Sequence, residues 1–213
     1  MQYEKVITQL RKISDKVSEA RPILKGVYHN NDTVLATDSH RLAQVKIKNA
    51  NYDETVIDFK NDSVLEGNYP DIEKLFLPED DKNVKIELSH QSIVDLKSLL
   101  ACIKALKFEN VEIKKNDKGH WYLVPQHTTN GELKGNSHIT MNYFLTKDDD
   151  KADVETKIFD VKYLLNALEL MKESKIDGQI IMSNHPFKPM QIESDDDNSE
   201  TQYRYLIMPK RNY

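Results

Sequence analysis

The sequence predicts an α+β fold with helices gathered on one face of antiparallel sheet. An amphipathic helical stretch occurs three times, starting near residues 3, 89 and 160. Each is followed by short β-rich runs separated by polar turns, so each helix has a sheet on which to lay its apolar stripe. The six glycines, at 26, 67, 119, 131, 135 and 178, are too dispersed to build a phosphate-cradling loop or a dinucleotide fingerprint. The helix starts lie roughly 86 and 71 residues apart, too uneven for a solenoid.

In the first stretch, residues 3–18, Val6, Ile7, Leu10, Ile13 and Val17 trace one helical face. The helix should stop before Arg21-Pro22, because a residue preceding proline is pushed out of the α region. Residues 23–47 read as strands, with Asn30-Asn31-Asp32 as a hairpin turn and Thr37-Asp38-Ser39-His40-Arg41 as a polar knot between Thr33–Ala36 and Ala43–Ile47. Residues 55–59 and 63–65 are shorter strand candidates. A turn follows at 67–71, then a helical turn at 72–76, and Glu79-Asp80-Asp81-Lys82 reads as a linker.

A strand at 84–88 leads to Ser89, which caps a second helix at 90–106 carrying Ile93, Leu96, Leu99, Leu100, Ile103 and Leu106. Cys102 reads as a small core or half-buried residue of that helix. Strands are expected at 111–114, 121–124 and 138–145, with polar loops at 126–137 and 148–153; Trp121 reads as sheet packing rather than a base-stacking platform. Asp160 caps a third helix to about 173, with Gly178 as its stop. Strands at 179–182, 189–193 and 203–208 close the chain, the last pair joined by an acidic tip at 194–201.

Composition narrows the function classes. Apolar residues make up 38% of the 213 positions and charged residues 31%, which suits a thin core under a wet surface. The net charge of −5 excludes a uniformly basic nucleic-acid binder but leaves room for a local basic face. One cysteine excludes a disulfide within the chain and a thiolate-rich zinc site, and fits a reducing, cytoplasmic setting. No run has the length of a membrane helix, and the first residues lack an apolar signal core.

Four stretches carry a resemblance, in order: ARPILKG with TVLATDSHRLA at 20–43, EGNYPDIEKLFLP at 66–78, IFDVKYLLNALELM at 158–171 and YRYLIMPKR at 203–211. Together they resemble the beta subunit of bacterial DNA polymerase III, the replicative sliding clamp. The resemblance implies a sliding-clamp (processivity-factor) fold shortened to one half-domain at 1–80, like the middle clamp domain, plus one full clamp domain at 81–213, like the last. The family's first domain has no counterpart, and only 24 residues, 44–67, stand where the middle domain carries its second helical unit.

The resemblance implies a pocket for short peptide motifs of DNA polymerases or repair proteins. It is carried onto Thr37, Ser39, His40, Arg41, Leu42, Pro70, Lys74, Leu75, Asp160, Tyr163, Leu206, Met208, Pro209, Lys210 and Arg211. Leu42, Leu75, Leu206, Met208 and Pro209 supply apolar surface, with Met208 and Leu42 expected at the floor; His40, Arg41 and Arg211 are expected at the rim. Lys210 and Asn212 fall where the family has apolar residues. The same residues also read as inherited fold determinants.

The resemblance further implies helices facing duplex DNA, with Lys5, Arg11, Lys12, Lys16, Lys97, Lys104, Lys107, Lys162, Lys172 and Lys175 as candidates. Carboxylates share those helices, so a merely solvated face reads as well. Implied partners are motif-bearing polymerases and repair proteins, a clamp loader, double-stranded DNA and further copies of the chain; no cofactor, metal or membrane is implied. No catalytic motif is present: the histidines at 29, 40, 90, 120, 127, 138 and 185 are scattered, and Asp38-Ser39-His40 is adjacency, not a triad. Asp195-Asp196-Asp197 lacks the spaced ligands of a calcium loop. The expected function is a non-catalytic clamp-like processivity factor. The alternative is a regulatory decoy that keeps the pocket without encircling DNA, and an enzyme on the same scaffold ranks below both.

Overall fold

A computed structural model describes residues 3–80, 83–126, 141–147, 156–175, 177–183, 185–194 and 199–210. The helices are α1 (Tyr3–Ser14), α2 (His90–Ala105) and α3 (Val161–Ser174). The strands are β1 (Val27–Asn31), β2 (Thr33–Thr37), β3 (Arg41–Ile47), β4 (Tyr52–Asp58), β5 (Ser63–Val64), β6 (Val84–Leu88), β7 (Asn110–Lys115), β8 (His120–Pro125), β9 (Tyr143–Lys147), β10 (Lys157–Asp160), β11 (Gly178–Met182), β12 (Met190–Ser194) and β13 (Thr201–Ile207). Single 3-10 turns lie at Pro22–Lys25 and Glu73–Leu75.

Nine strands form one antiparallel sheet in the order β5-β4-β1-β2-β3-β13-β12-β11-β6, and four form a second in the order β10-β7-β8-β9. The large sheet runs unbroken across the chain's two halves. Its join is β3 against β13, paired from Thr201 opposite Ile47 to Ile207 opposite Arg41.

The period-2 pattern of the strands explains the layering. Val34 and Ala36, Ala43 and Val45, and Tyr203, Tyr205 and Ile207 all point to the face covered by the helices. There they meet Val6, Leu10 and Ile13 of α1, Ile93, Leu96 and Leu100 of α2, and Leu164, Leu168 and Met171 of α3. The intervening residues point outward. Leu35, Leu42 and Leu206 join Ile72 in a small second core, roofed by Tyr28, Tyr69 and Phe76 where residues 66–78 cross the outer face.

Several elements differ from the sequence reading. Helix α1 ends at Ser14 because its last turn tightens: Lys16 N–H donates to the Ile13 carbonyl and Val17 N–H to Ser14. Helix α3 ends at Lys175, in the left-handed region at φ 57°, rather than at Gly178. Gly178 opens β11, where a Cβ would meet Met171 Cε at 2.3 Å and the Glu193 carbonyl at 2.5 Å. Its role is close approach of strand to helix, not helix termination. Cys102 is exposed, on the side of α2 away from Ile93, Leu96, Leu100 and Ile103, which corrects its expected place in the core. Trp121 is fully buried, leaving no face for a base to stack on. Strand β9 starts at Tyr143, later than expected; residues 127–140, 148–155 and 195–198 lie outside the described residues.

Candidate functional site

Asp38 organises the turn between β2 and β3. Its Oδ1 accepts from the N–H groups of His40 and Arg41, both at 3.0 Å, while Ser39 takes a positive φ of 75°. Thr37 Oγ1 donates to the Arg41 carbonyl at 2.8 Å, and Arg21 donates to Ser39 Oγ. This is an Asx-type turn, in which a short polar side chain replaces backbone partners. It accounts for the polar knot, and it occupies Asp38 with structure rather than with activating His40.

Arg41 continues the network inward. Its Nε donates to Asp38 Oδ2 at 2.9 Å, and its Nη2 donates to the Lys12 carbonyl near the end of α1 at 2.7 Å. The guanidinium lies 4.3 Å from the centre of the Tyr163 ring on α3. Burial opposes its charge, but its polar neighbours outweigh that and its pKa lies above the ordinary value; Asp38 is the charged partner, since burial pushes the Tyr205 hydroxyl upward and keeps it neutral. With only 1% of its side chain exposed, Arg41 ties turn, α1 and α3 together rather than standing free at a rim.

Outside this turn lies a cleft of about 370 Å³, lined by Thr37, Ser39, His40, Arg41, Leu42, Lys74, Leu75, Phe187, Lys188, Pro189, Leu206 and Met208. Nine of the fifteen residues carried onto the pocket are therefore neighbours around one cavity. Leu42 and Leu206 are paired across β3 and β13 and form its buried floor. Met208 N–H donates to the His40 carbonyl at 2.8 Å, extending the ladder past β13. Met208 is 42% exposed, so it stands at the cleft mouth rather than on the floor. Leu75 is 52% and Phe187 60% exposed.

Six carried-over residues lie elsewhere or beyond description. Pro70 lines a neighbouring groove with Tyr28 and Tyr69. Asp160 caps α3 through the Lys162 N–H at 2.8 Å and pairs with Lys210 at 3.4 Å, while Lys210 N–H donates to the Ile158 carbonyl. Tyr163 is the ring under Arg41. Arg211 lies outside the described residues. The sixth, Pro209, connects Met208 to Lys210 without lining the cleft.

Sequence reasoning missed Phe187, Lys188 and Pro189. Lys157, itself buried, donates through Nζ to the carbonyls of His185 at 2.8 Å and Lys188 at 3.2 Å, fixing the turn that carries them. An exposed Phe between two prolines was the available signal.

On the helices, Lys5 pairs with Glu173 at 3.3 Å, Arg11 with Asp15 at 3.8 Å, and Lys97 with Glu169. Lys12, half-buried on α1, donates to Gln9 Oε1, and burial lowers its pKa. Lys16, Lys104, Lys107, Lys162 and Lys175 are exposed, and Lys172 half-buried. Across residues 3–16, 90–107 and 160–175 there are ten Lys and Arg against six Asp and Glu, a positive layer in a chain of net charge −5. Among the described residues no group of three His, Cys, Asp or Glu could hold a metal ion, and no helix is long and apolar enough to cross a membrane. His127 and His138 lie outside the described residues.

Layered helices on a continuous antiparallel sheet, with this order of strands, define the fold of a bacterial DNA sliding clamp. Solved structures of that class superpose on nearly the whole chain. The Streptococcus pneumoniae DNA polymerase III beta chain gives a TM-score of 0.68 at 21% identity, covering 98% of this chain and 63% of that one. The Borrelia burgdorferi beta subunit gives 0.67 at 19%, covering 96% and 61%. The Bacillus subtilis sliding clamp gives 0.61 at 21%, covering 98% and 63%. The chain thus spans less than two thirds of the length of these clamps. No protein-family model and no curated protein sequence matches it.

Proposed function

We propose that the chain is a non-catalytic, clamp-like docking protein of the cytoplasm. Its cleft takes a short apolar-anchored peptide of a replication or repair protein, and its positive helix layer lies along duplex DNA without reading sequence. The observation that carries this reading is the convergence of Leu75, Phe187 and Met208, three exposed large apolar side chains, on one cavity. Exposed apolar side chains gathered in one place mark interaction sites more often than chance. The fold of the neighbours adds the general role, since sliding clamps are processivity factors rather than enzymes.

A decoy that competes for clamp partners without encircling DNA is the second reading. It is favoured by the carboxylates on α3 that engage Lys5 and Lys97. Light scattering combined with retention on circular and linear DNA separates the two. A ring assembled from several copies stays on circles and slips from free ends, whereas a monomer without retention supports the decoy. Failure of a Leu-Phe-containing peptide to bind at all overturns both.

A further inference from the structure

The cleft differs in charge from the surface around it. Among the described residues its lining holds Lys74, Lys188, Arg41 and His40 and no carboxylate, in a chain where Asp and Glu outnumber Lys and Arg. Two neighbouring grooves do hold carboxylates: one has Glu73 and Glu193 alongside Lys46 and Arg204, the other Asp32, Asp71 and Glu73. Arg41 is already committed to Asp38 inside the fold, so the lysines left to meet a ligand in the cleft are Lys74, on the segment that crosses the outer face, and Lys188, on the turn before β12. Lys74 has a contact with Asp71 at 3.5 Å, but both side chains are largely exposed, and such a pair is weak enough to exchange partners. The buried Lys157 fixes the backbone of the turn that carries Lys188 by donating to the carbonyls of His185 and Lys188.

Resting on the docking reading above, we infer that the cleft selects an acidic peptide: an apolar anchor seated over Leu42 and Leu206, with carboxylates on both flanks meeting Lys74 and Lys188. Charge complementarity at a rim contributes selectivity and association rate more than total affinity, and salt weakens it. The apolar anchor therefore decides whether a peptide binds, and the flanks decide which peptide is preferred.

The test uses the full chain and three synthetic peptides, titrated by fluorescence anisotropy. One has a central Leu-Phe pair flanked by Glu on both sides; the second replaces each Glu with Gln; the third keeps Glu but replaces Leu-Phe with Ser-Ser. The Glu peptide should bind about five- to tenfold more tightly than the Gln peptide at low salt, a gap that closes at high salt. In the Lys74→Gln/Lys188→Gln variant the gap between the Glu and Gln peptides should vanish, and a gap that persists there overturns the inference. Equal binding of Glu and Gln peptides to the native chain overturns the charge selection and leaves the docking reading standing. Equal binding of the Ser-Ser peptide shows attraction away from the cleft and also overturns the inference. Binding of neither Leu-Phe peptide removes the docking reading, and the inference with it.

Discussion

Leu42 and Leu206 stand directly opposite each other across the strand pair that joins the two halves of the large sheet. One contact therefore serves two purposes. It seals the join between the segment before the linker and the segment after it, and it supplies the cleft floor. Because both side chains are already buried, a ligand gains its new apolar burial from the more exposed Met208, Leu75 and Phe187.

Stability and docking should separate along that line. Leu42→Ala and Leu206→Ala should each cost about 2–5 kcal/mol in chemical denaturation, as expected for buried leucines. Leu75→Ala, at an exposed site, should change stability by no more than about 0.5 kcal/mol. Urea unfolding curves check both halves of this statement.

Removing Arg41 should destabilise the chain by about 3–5 kcal/mol, because Asp38 is left buried without its partner and the end of α1 loses a donor. Arg41→Lys should rescue little, since a single ammonium cannot contact Asp38, the Lys12 carbonyl and the Tyr163 ring at once. Urea denaturation of Arg41→Ala and Arg41→Lys is the check.

The fold class was legible in the sequence because its signals are local. Ser89 and Asp160 cap α2 and α3 as read, each accepting from a backbone N–H of the first turn. Ile93, Leu96, Leu100 and Ile103 gave the buried stripe of α2 directly. The TDSHR knot announced a turn, but its inward-facing Arg41 was not legible, because its partners at Lys12 and Tyr163 are remote in sequence. For the same reason the sequence groups Asp160 and Lys210 with a cleft that they do not line; they pair with each other instead. Phe187 escaped notice because its role depends on Lys157 pinning a distant turn.

Acid should loosen the contact between α1 and β1. His29 is buried, with Nδ1 against the Val27 carbonyl at 3.0 Å and Nε2 accepting from Tyr3 Oη at 2.8 Å, beside the rings of Tyr52 and Phe59. Burial pushes its pKa below the ordinary histidine value, so the unfolded chain binds the proton more readily than the folded one. The contribution is complete above the ordinary value of about 6.5 and is lost as the pH falls from there through the lowered folded value. The slope from this residue should reach at most about 1.4 kcal/mol per pH unit, and His29→Phe should flatten it in denaturation series at several pH values.

Freeing the helix cations should strengthen DNA contact. Glu169 and Glu173 engage Lys97 and Lys5. In the Glu169→Gln/Glu173→Gln variant, duplex DNA should bind more tightly, and the salt dependence should steepen by about 0.9 for each phosphate newly neutralised. Anisotropy titrations of a labelled duplex across a salt series read both quantities.

Peptide docking at the mouth of the cleft is tested most directly by titrating the flanked Leu-Phe peptide into the native chain and into Met208→Ala, with the folded fraction of each measured in parallel. Met208 presents apolar surface to the cavity while making its own backbone bond to His40, so truncation should leave the fold intact. Affinity should fall by about 1–2 kcal/mol, the size of an interface anchor. Unchanged affinity per folded molecule would contradict the assignment and leave the terminal Met-Pro segment as part of the fold alone.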